Sequence, residues 1–314
     1  MKADFSRAHA LLTLASLPDR GAFSDDIRAL QRVLVDSGYD LGIAGIDGHY
    51  GDRTMWAHTR ALWSHLGGRV WVFTQSTGPS DAAALASTLR ETGATDVCIF
   101  VDSLDAPLKP RWSSAEVEPW VRELRELAGV HVHFMWAPVA SQYGVERLRE
   151  LLQQYRHIVQ PDETVILDVE ENWTKSGSQH AVWADHVRVM MSTLHGTRWG
   201  VTAIPYLPTR AALLADVAPV VIPQTYARQY GSAEHQPHYE PGTIHQTAAD
   251  RYRMEGRRVV WGAAAYAQRE HDVQRSMAAI LRQGGREVAI WSSAWLARYP
   301  HIRARFRALS ERPT

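Results

Sequence analysis

The 314-residue sequence predicts an α/β protein, a (β/α)8 barrel preceded by a small all-α module. Three observations predict it. Up to Leu66 the apolar residues recur at helical spacing. After Gly68 short apolar runs alternate with longer amphipathic segments, and there are eight of each. The runs are almost continuously apolar, as strands of a parallel sheet covered by helices must be, and eight strand–helix units over residues 68–314 fit a barrel. The runner-up is an open doubly wound sheet, weakened because no glycine-rich nucleotide loop follows the first run.

The first segment has an apolar stretch, Ala10–Leu17, that is short and preceded by Asp4, Arg7 and His9, so it reads as a leading helix rather than a secretory signal. Ile27, Leu30 and Leu34 then mark one helix. A second, Asp52–His65, places Ala57, Ala61 and Leu62 on one side. Glycine-rich turns separate them at Gly38–Gly42 and Ile46–Gly51. The predicted strands are Val70–Gln75, Val97–Val101, Val130–Trp136, Thr164–Val169, Trp199–Ile204, Val220–Thr225, Val259–Ala264 and Val288–Trp291. The helices that follow them are Ser80–Glu91, Glu116–Ala128, Gly144–His157, Gln179–Leu194, Thr209–Asp216, Thr243–Met254, Asp272–Gln283 and Trp295–Leu309. The chain thus divides into a helical module, residues 1–67, and a barrel, residues 68–314.

Composition narrows the function. Apolar residues make up 45% of the chain, enough for a sizeable core. Lys plus Arg equals Asp plus Glu at 34 each, which supports neither nucleic-acid binding nor general attachment to anionic lipid. No apolar run approaches the 18 residues or so of a membrane span. The single cysteine, Cys98, excludes an internal disulfide and a cysteine metal cluster, and its apolar neighbours place it in the core. Twelve tryptophans are many; their flat faces suit either a barrel core or a sugar site.

Between Asp25 and Leu66 lie Leu30-Gln31, Gly38-Tyr39, Asp47-Gly48, Gly51 and a helix-opening Thr54. With these features in this order the segment resembles the small three-helix peptidoglycan-binding domain. The resemblance implies wall binding through Tyr39, Asp47, Gly48 and Tyr50. The glycines permit positive φ between close helices, and Asp47 can cap a turn with its own side chain. The sequence departs from the family at Leu62-Trp63, where the family often has Phe-Gln. The alternative is a generic helical module that binds something else or only packs on the barrel.

Barrel chemistry sits at the C-terminal ends of strands. Strand four ends Asp168-Val169-Glu170-Glu171, and alternation puts Asp168 and Glu170 on one face. Two carboxylates in one barrel mouth repel, which raises the proton affinity of one and suits it to act as a general acid. Further strand-end groups are Asp102, Trp136, Tyr206, Gln224, Tyr226, Tyr266 and Trp291. This Asp-x-Glu resembles that of family 25 lysozymes and, more loosely, family 18 chitinases. The resemblance implies that Glu170 protonates the glycosidic oxygen. Asp168 then orients a substrate acetamide or stabilises charge at the anomeric carbon, and Tyr226 polarises the acetamide carbonyl. Trp291 is the preferred ring-stacking residue, with Asp102, Trp136, Tyr206 and Gln224 as further substrate contacts. Strand one, ending Phe73-Thr74-Gln75-Ser76, lacks the acid that family 25 places there, and Asp102 is the substitute carboxylate.

His131-Val132-His133 has the spacing of an amidohydrolase zinc pair, but it lies early in strand three, toward the stability face. His235 and His238 lie in a loop without a third ligand. No metal or other cofactor is expected. The reading is a monomeric peptidoglycan hydrolase cutting the glycan strand, muramidase or N-acetylglucosaminidase. Module order and the absence of a signal peptide resemble a phage endolysin, made in the cytoplasm and released through a holin. The alternatives are a non-catalytic wall-binding protein and a metal-dependent amidase.

Overall fold

The structure is a computed structural model that describes residues 18–74, 82–103, 112–169, 179–204, 211–226, 240, 242–252, 256–265 and 270–311. Among the described residues two helices come first, α1 (Asp25–Asp36) and α2 (Asp52–His65). The barrel follows as β1 (Arg69–Phe73), α3 (Ala82–Thr92), β2 (Asp96–Ser103), α4 (Ser114–Ala128), β3 (His131–Ala137), α5 (Gln142–Tyr155), β4 (Val165–Asp168), α6 (Gln179–His195), β5 (Trp199–Ala203), α7 (Ala211–Ala215) and β6 (Val220–Pro223). It ends with α8 (Thr243–Arg251), β7 (Arg258–Val259), β8 (Trp261–Ala264), α9 (Glu270–Arg282), β9 (Glu287–Trp291), α10 (Ser293–Arg298) and α11 (Pro300–Ser310). The leading helix expected over Ala10–Leu17 lies outside the described residues.

All strand pairs are parallel, in the order β7-β6-β5-β4-β3-β2-β1-β9-β8. Only Val260 separates β7 from β8, and its N–H donates to Val221 O at 3.0 Å, continuing the ladder to β6. The two ends of the strand order are therefore halves of one strand, and the sheet closes as the expected TIM-like barrel. The last helix departs from expectation. In place of one helix over Trp295–Leu309 there are two, because Pro300 lacks an N–H and Tyr299 before it takes φ −118, ψ 79.

Each strand divides its residues between two sides. Val70, Val72, Val97, Ile99, Val132, Phe134, Val165, Leu167, Val201 and Ile290 pack in the layer under the helices. Phe73, Cys98, Phe100, Met135, Ile166, Ile222, Val260 and Ala289 fill the barrel interior. Below them, at the N-terminal end, polar side chains close the floor. Asp96 accepts from Arg69 Nε at 3.0 Å and from His133 Nε2 at 2.9 Å, while Thr164 N donates to His133 Nδ1 at 2.8 Å. That pattern fixes His133 as the neutral Nε2–H tautomer. Burial lowers its proton affinity further, with the Asp96 hydrogen bond opposing. Burial alone would raise the Asp96 carboxyl; its bond to His133 and the Arg69 charge outweigh that and hold it below its ordinary range. Trp71 stacks on His133 with ring centroids 3.9 Å apart, and the Arg258 guanidinium lies 5.1 Å above Trp71. Glu287 completes the floor, accepting from Arg258 Nε at 2.6 Å and from Trp71 Nε1 at 2.9 Å.

The two leading helices form a small core of their own from Ile27, Leu30, Leu34, Tyr39, Leu41, Tyr50, Met55 and Leu62, to which α9 adds Ala278. Ser24 caps α1, its Oγ accepting from Ile27 N at 3.1 Å. The other face of α2 belongs to the barrel, for Trp56 and Trp63 join its helix-side core. Gly68 makes this possible: a Cβ there would sit 2.2 Å from the Trp63 ring. Arg60 Nε donates to Ala308 O at 2.6 Å, tying α2 to α11 as well. Among the described residues no helix is long and apolar enough to cross a membrane.

Two predictions follow from this packing. Trp63→Ala is expected to cost about 3–5 kcal/mol, seen as a lower urea midpoint, with probes in module and barrel moving together because Trp63 joins the two. An unmoved midpoint would remove Trp63 from the core. The second concerns acid. Burial presses four histidines below 6.5: His133, together with His58 and His195 to about 4 and His245 to about 3. The unfolded chain takes up these protons from pH 6.5 downward, whereas in the folded chain the last three resist until pH 3–4. Their contribution is thus complete above pH 6.5 and falls as pH drops, by at most about 1.4 kcal/mol per pH unit per histidine. Melting temperatures should decline between pH 6.5 and 5, and His58→Gln should flatten that slope; a flat wild-type profile would contradict it.

Candidate active site

The strands run parallel, so their C-terminal ends share one mouth. Ile166 faces the interior, and alternation aims Asp168 the same way. Gln224 reaches it from the end of β6, its Nε2 donating to Asp168 Oδ1 at 3.2 Å. The Gln224 N–H donates to Ala203 O at 2.9 Å, which holds the backbone that carries this side chain against β5. Thr202 is the register partner of Asp168 on β5 and shares its inward parity. Its buried hydroxyl has no hydrogen-bond partner among the described residues. The mouth thus gathers a carboxylate, an amide and a hydroxyl above an apolar interior.

A second group, of aromatic rings, stands at the strand ends of β1, β6 and β9. Trp291, at the end of β9, is part-buried. Its ring centroid lies 5.9 Å from Phe73 and 6.2 Å from Tyr226, the latter nearly parallel at 26°. Tyr226 is only 3% exposed and braces Trp291 from behind. Gly262 makes room for it, since a Cβ there would lie 2.5 Å from Pro223 O and 3.0 Å from the Tyr226 ring. Thr225 Oγ1 donates to Gly262 O at 2.7 Å and locks the same corner. Cys98 faces the interior below; burial first, then the Asp168 charge, keeps its thiol protonated. It is no thiolate nucleophile.

The structure pairs Asp168 with Gln224 and Tyr226 with Trp291, and Gln224 and Tyr226 stand two residues apart just past the end of β6. Asp102 lies within β2 rather than after it, though its side chain is outside the described part. Glu170, Tyr206, Tyr266, His235 and His238 also lie outside the described residues. Trp136 requires correction. It is fully buried in the helix-side layer, edge-on to Tyr155 at 5.3 Å, because β3 turns His133 and Met135 inward and Trp136 outward. It cannot reach a ligand in the mouth. At the end of β1, where the family pattern has an acid, the buried Thr74 hydroxyl accepts the Phe100 N–H at 3.0 Å, a link between strands. Sequence reading missed Thr202 and Phe73. A polar residue inside the apolar run Val201-Thr202-Ala203 was the available signal for the first.

His133 is committed through both ring nitrogens to the floor, and His131 Nδ1 pairs with Asp162 at 2.6 Å. Among the described residues no group of three or more His, Cys, Asp or Glu is arranged to hold a metal ion.

In the leading helices the four expected wall contacts take part in internal packing and turns: Tyr39 and Tyr50 in the small core, Asp47 and Gly48 in the turn between the helices. Tyr50 is fully buried with its hydroxyl 3.0 Å from His58 Nδ1, which corrects its assignment as a ligand contact. Tyr39 is 8% exposed, with Arg60 5.4 Å over its ring. Asp47 Oδ1 accepts from Gln31 Nε2 at 2.7 Å and from His49 N at 2.9 Å, contacts that hold its carboxyl below the ordinary range. Gly48 is buried at φ 85, against Phe23. The accessible aromatic surface there is instead Phe23, 59% exposed and 4.7 Å from the His49 ring.

No protein-family model and no curated protein sequence matches the chain. Solved structures do. The spore cortex-lytic enzyme SleL of Bacillus cereus superposes with a TM-score of 0.52 at 9% identity, covering 79% of this chain and 75% of that one. A hyperthermostable endocellulase superposes with a TM-score of 0.51 at 10% identity, covering 76% and 92%. At such identities the likeness establishes a shared barrel fold.

Proposed function

We propose that the protein is a glycoside hydrolase that cuts the glycan strand of peptidoglycan, as a muramidase or N-acetylglucosaminidase. One observation carries the reading: an amide-oriented carboxylate, Asp168, stands at the C-terminal end of one barrel strand, and a braced indole, Trp291, at the C-terminal end of another. A pyranose offers an apolar C–H face to the indole and hydroxyl or acetamide edges to the polar group. The neighbouring folds include a cortex-lytic enzyme and an endocellulase, which fits this reading without specifying the bond.

In the proposed mechanism Glu170, two residues beyond Asp168, protonates the glycosidic oxygen as the bond to the anomeric carbon breaks. The acetamide oxygen of the substrate attacks that carbon, and Asp168 steadies the acetamide nitrogen as it becomes positive. Gln224 holds Asp168 in place. Water then opens the cyclic intermediate, with Glu170 returning as base. One observation favours a second reading, a wall-binding protein without activity: the Thr74 hydroxyl at the end of β1 serves the backbone where the family pattern places an acid. A zinc amidase is disfavoured by the double commitment of His133 in the floor.

Digestion of purified peptidoglycan, with products analysed by mass spectrometry, separates these readings. New reducing ends are expected. Glu170→Gln should lower turnover by about 10²–10⁴ and Asp168→Asn by about 10²–10³, while wall binding persists. Full activity in Glu170→Gln would refute the assignment of the acid; free amino groups on stem peptides would mark an amidase instead.

A further inference from the structure

Trp112 stands two residues before α4, at the end of that helix that adjoins the C-terminal end of β2. Its backbone is fixed on both sides. Its N–H donates to Val101 O at 3.3 Å, and its carbonyl accepts from Tyr155 OH at 2.8 Å. The next residue, Ser113, opens α4 with a reciprocal capping box to Glu116. Trp112 is 38% exposed. Its ring lies nearly parallel to Trp120, at 10° and 6.0 Å between centroids, the spacing of an offset stack. Trp120 is part-buried and packs on the helix-side core, so the pair is anchored from below. Tyr143, 66% exposed at the start of α5, occupies the adjacent sector after β3.

We propose that Trp112, backed by Trp120, is a sugar-stacking platform that binds the glycan at a distance from the reacting bond. The proposal rests on the glycosidase reading and adds a substrate contact to it. Isolated exposed aromatics are ordinary, but this one has its conformation fixed before any ligand arrives, so little freedom is lost on binding. A flat apolar surface of this kind suits the C–H face of a pyranose, whose hydroxyls stay in water at its edge. Strand β3 lies between β2 and β4, so the end of β2 is about 10 Å from that of β4. A sugar ring over Asp168 cannot also cover Trp112; a longer chain can. The platform therefore selects for length. It favours polymer over short fragments and holds the strand while the bond at Asp168 is cut.

The test is titration of the full-length Glu170→Gln protein, which binds without cutting, with β-1,4-linked N-acetylglucosamine dimer and hexamer. The ratio of hexamer to dimer affinity is expected to fall about tenfold in a Trp112→Ala background and to recover in Trp112→Tyr, which keeps a flat ring. The indole N–H signal of Trp112 should shift with the hexamer alone. An unchanged ratio in a Trp112→Ala protein that melts like its parent overturns the platform and leaves the glycosidase reading standing. If Trp112→Ala does not fold, the Trp112 signal in the parent decides, and its failure to move with bound hexamer overturns the platform too. Absence of binding by either oligomer, together with intact peptidoglycan after digestion with wild-type protein, overturns both.

Discussion

Every residue of a barrel strand must choose between two sides, and in this chain that alternation governs both stability and chemistry. One parity faces the helices, where Val, Ile, Leu and Trp make a continuous apolar layer. The other faces a narrow interior into which all the strands project at once. The interior has no room for independent choices. Trp71 can lie flat on His133 because only β2 separates their strands and both side chains point inward. Gly262 is small because Tyr226 and Pro223 already occupy the space beside it.

The same constraint separates the two ends of the barrel by their electrostatics. At the floor the buried and part-buried carboxylates meet cations or donors: Asp96 with Arg69 and His133, Glu287 with Arg258, and Glu163 with Arg125 and the Val132 N–H. Such a network resists rearrangement, because removing one member leaves another buried and uncompensated. The mouth is built differently. Asp168 is oriented by a neutral amide, and the hydroxyl of Thr202 beside it is buried without a partner among the described residues.

The fold was legible because its signal repeats. Eight apolar runs separated by eight amphipathic segments have few solutions, and an error at one boundary does not alter the count. The site was less legible for a reason seen in Trp136. Strands buried on both faces are apolar at every position, so residue type does not reveal parity. His133 and Trp136 lie three apart and therefore on opposite sides, yet nothing in Phe134–Ala137 says which side is inward. Strand four was readable because a charged residue at its end breaks the ambiguity: Asp168 has no place among helices. Tyr50 illustrates a second limit. The turn Asp47–Tyr50 looks exposed in sequence, but the bridge between Phe23 and His49 sets its direction and sends Tyr50 into the core.

The joint between the leading helices and the barrel bears on how a polymer would be handled. A flexible linker would let a binding module search around its enzyme. Here α2 serves two cores at once, Leu62 on one side and Trp63 on the other, and only Leu66, Gly67 and Gly68 separate it from β1. Its barrel-side neighbours are α9 and α11, which precede and follow β9, the strand that ends in Trp291. The exposed Phe23 surface is therefore held at a fixed position relative to the mouth rather than tethered to it. A ligand spanning both would gain from that rigidity only if its own spacing matched, and a mismatch could not be absorbed by slack in the chain. Whatever the leading helices contact, they contact it as part of the barrel.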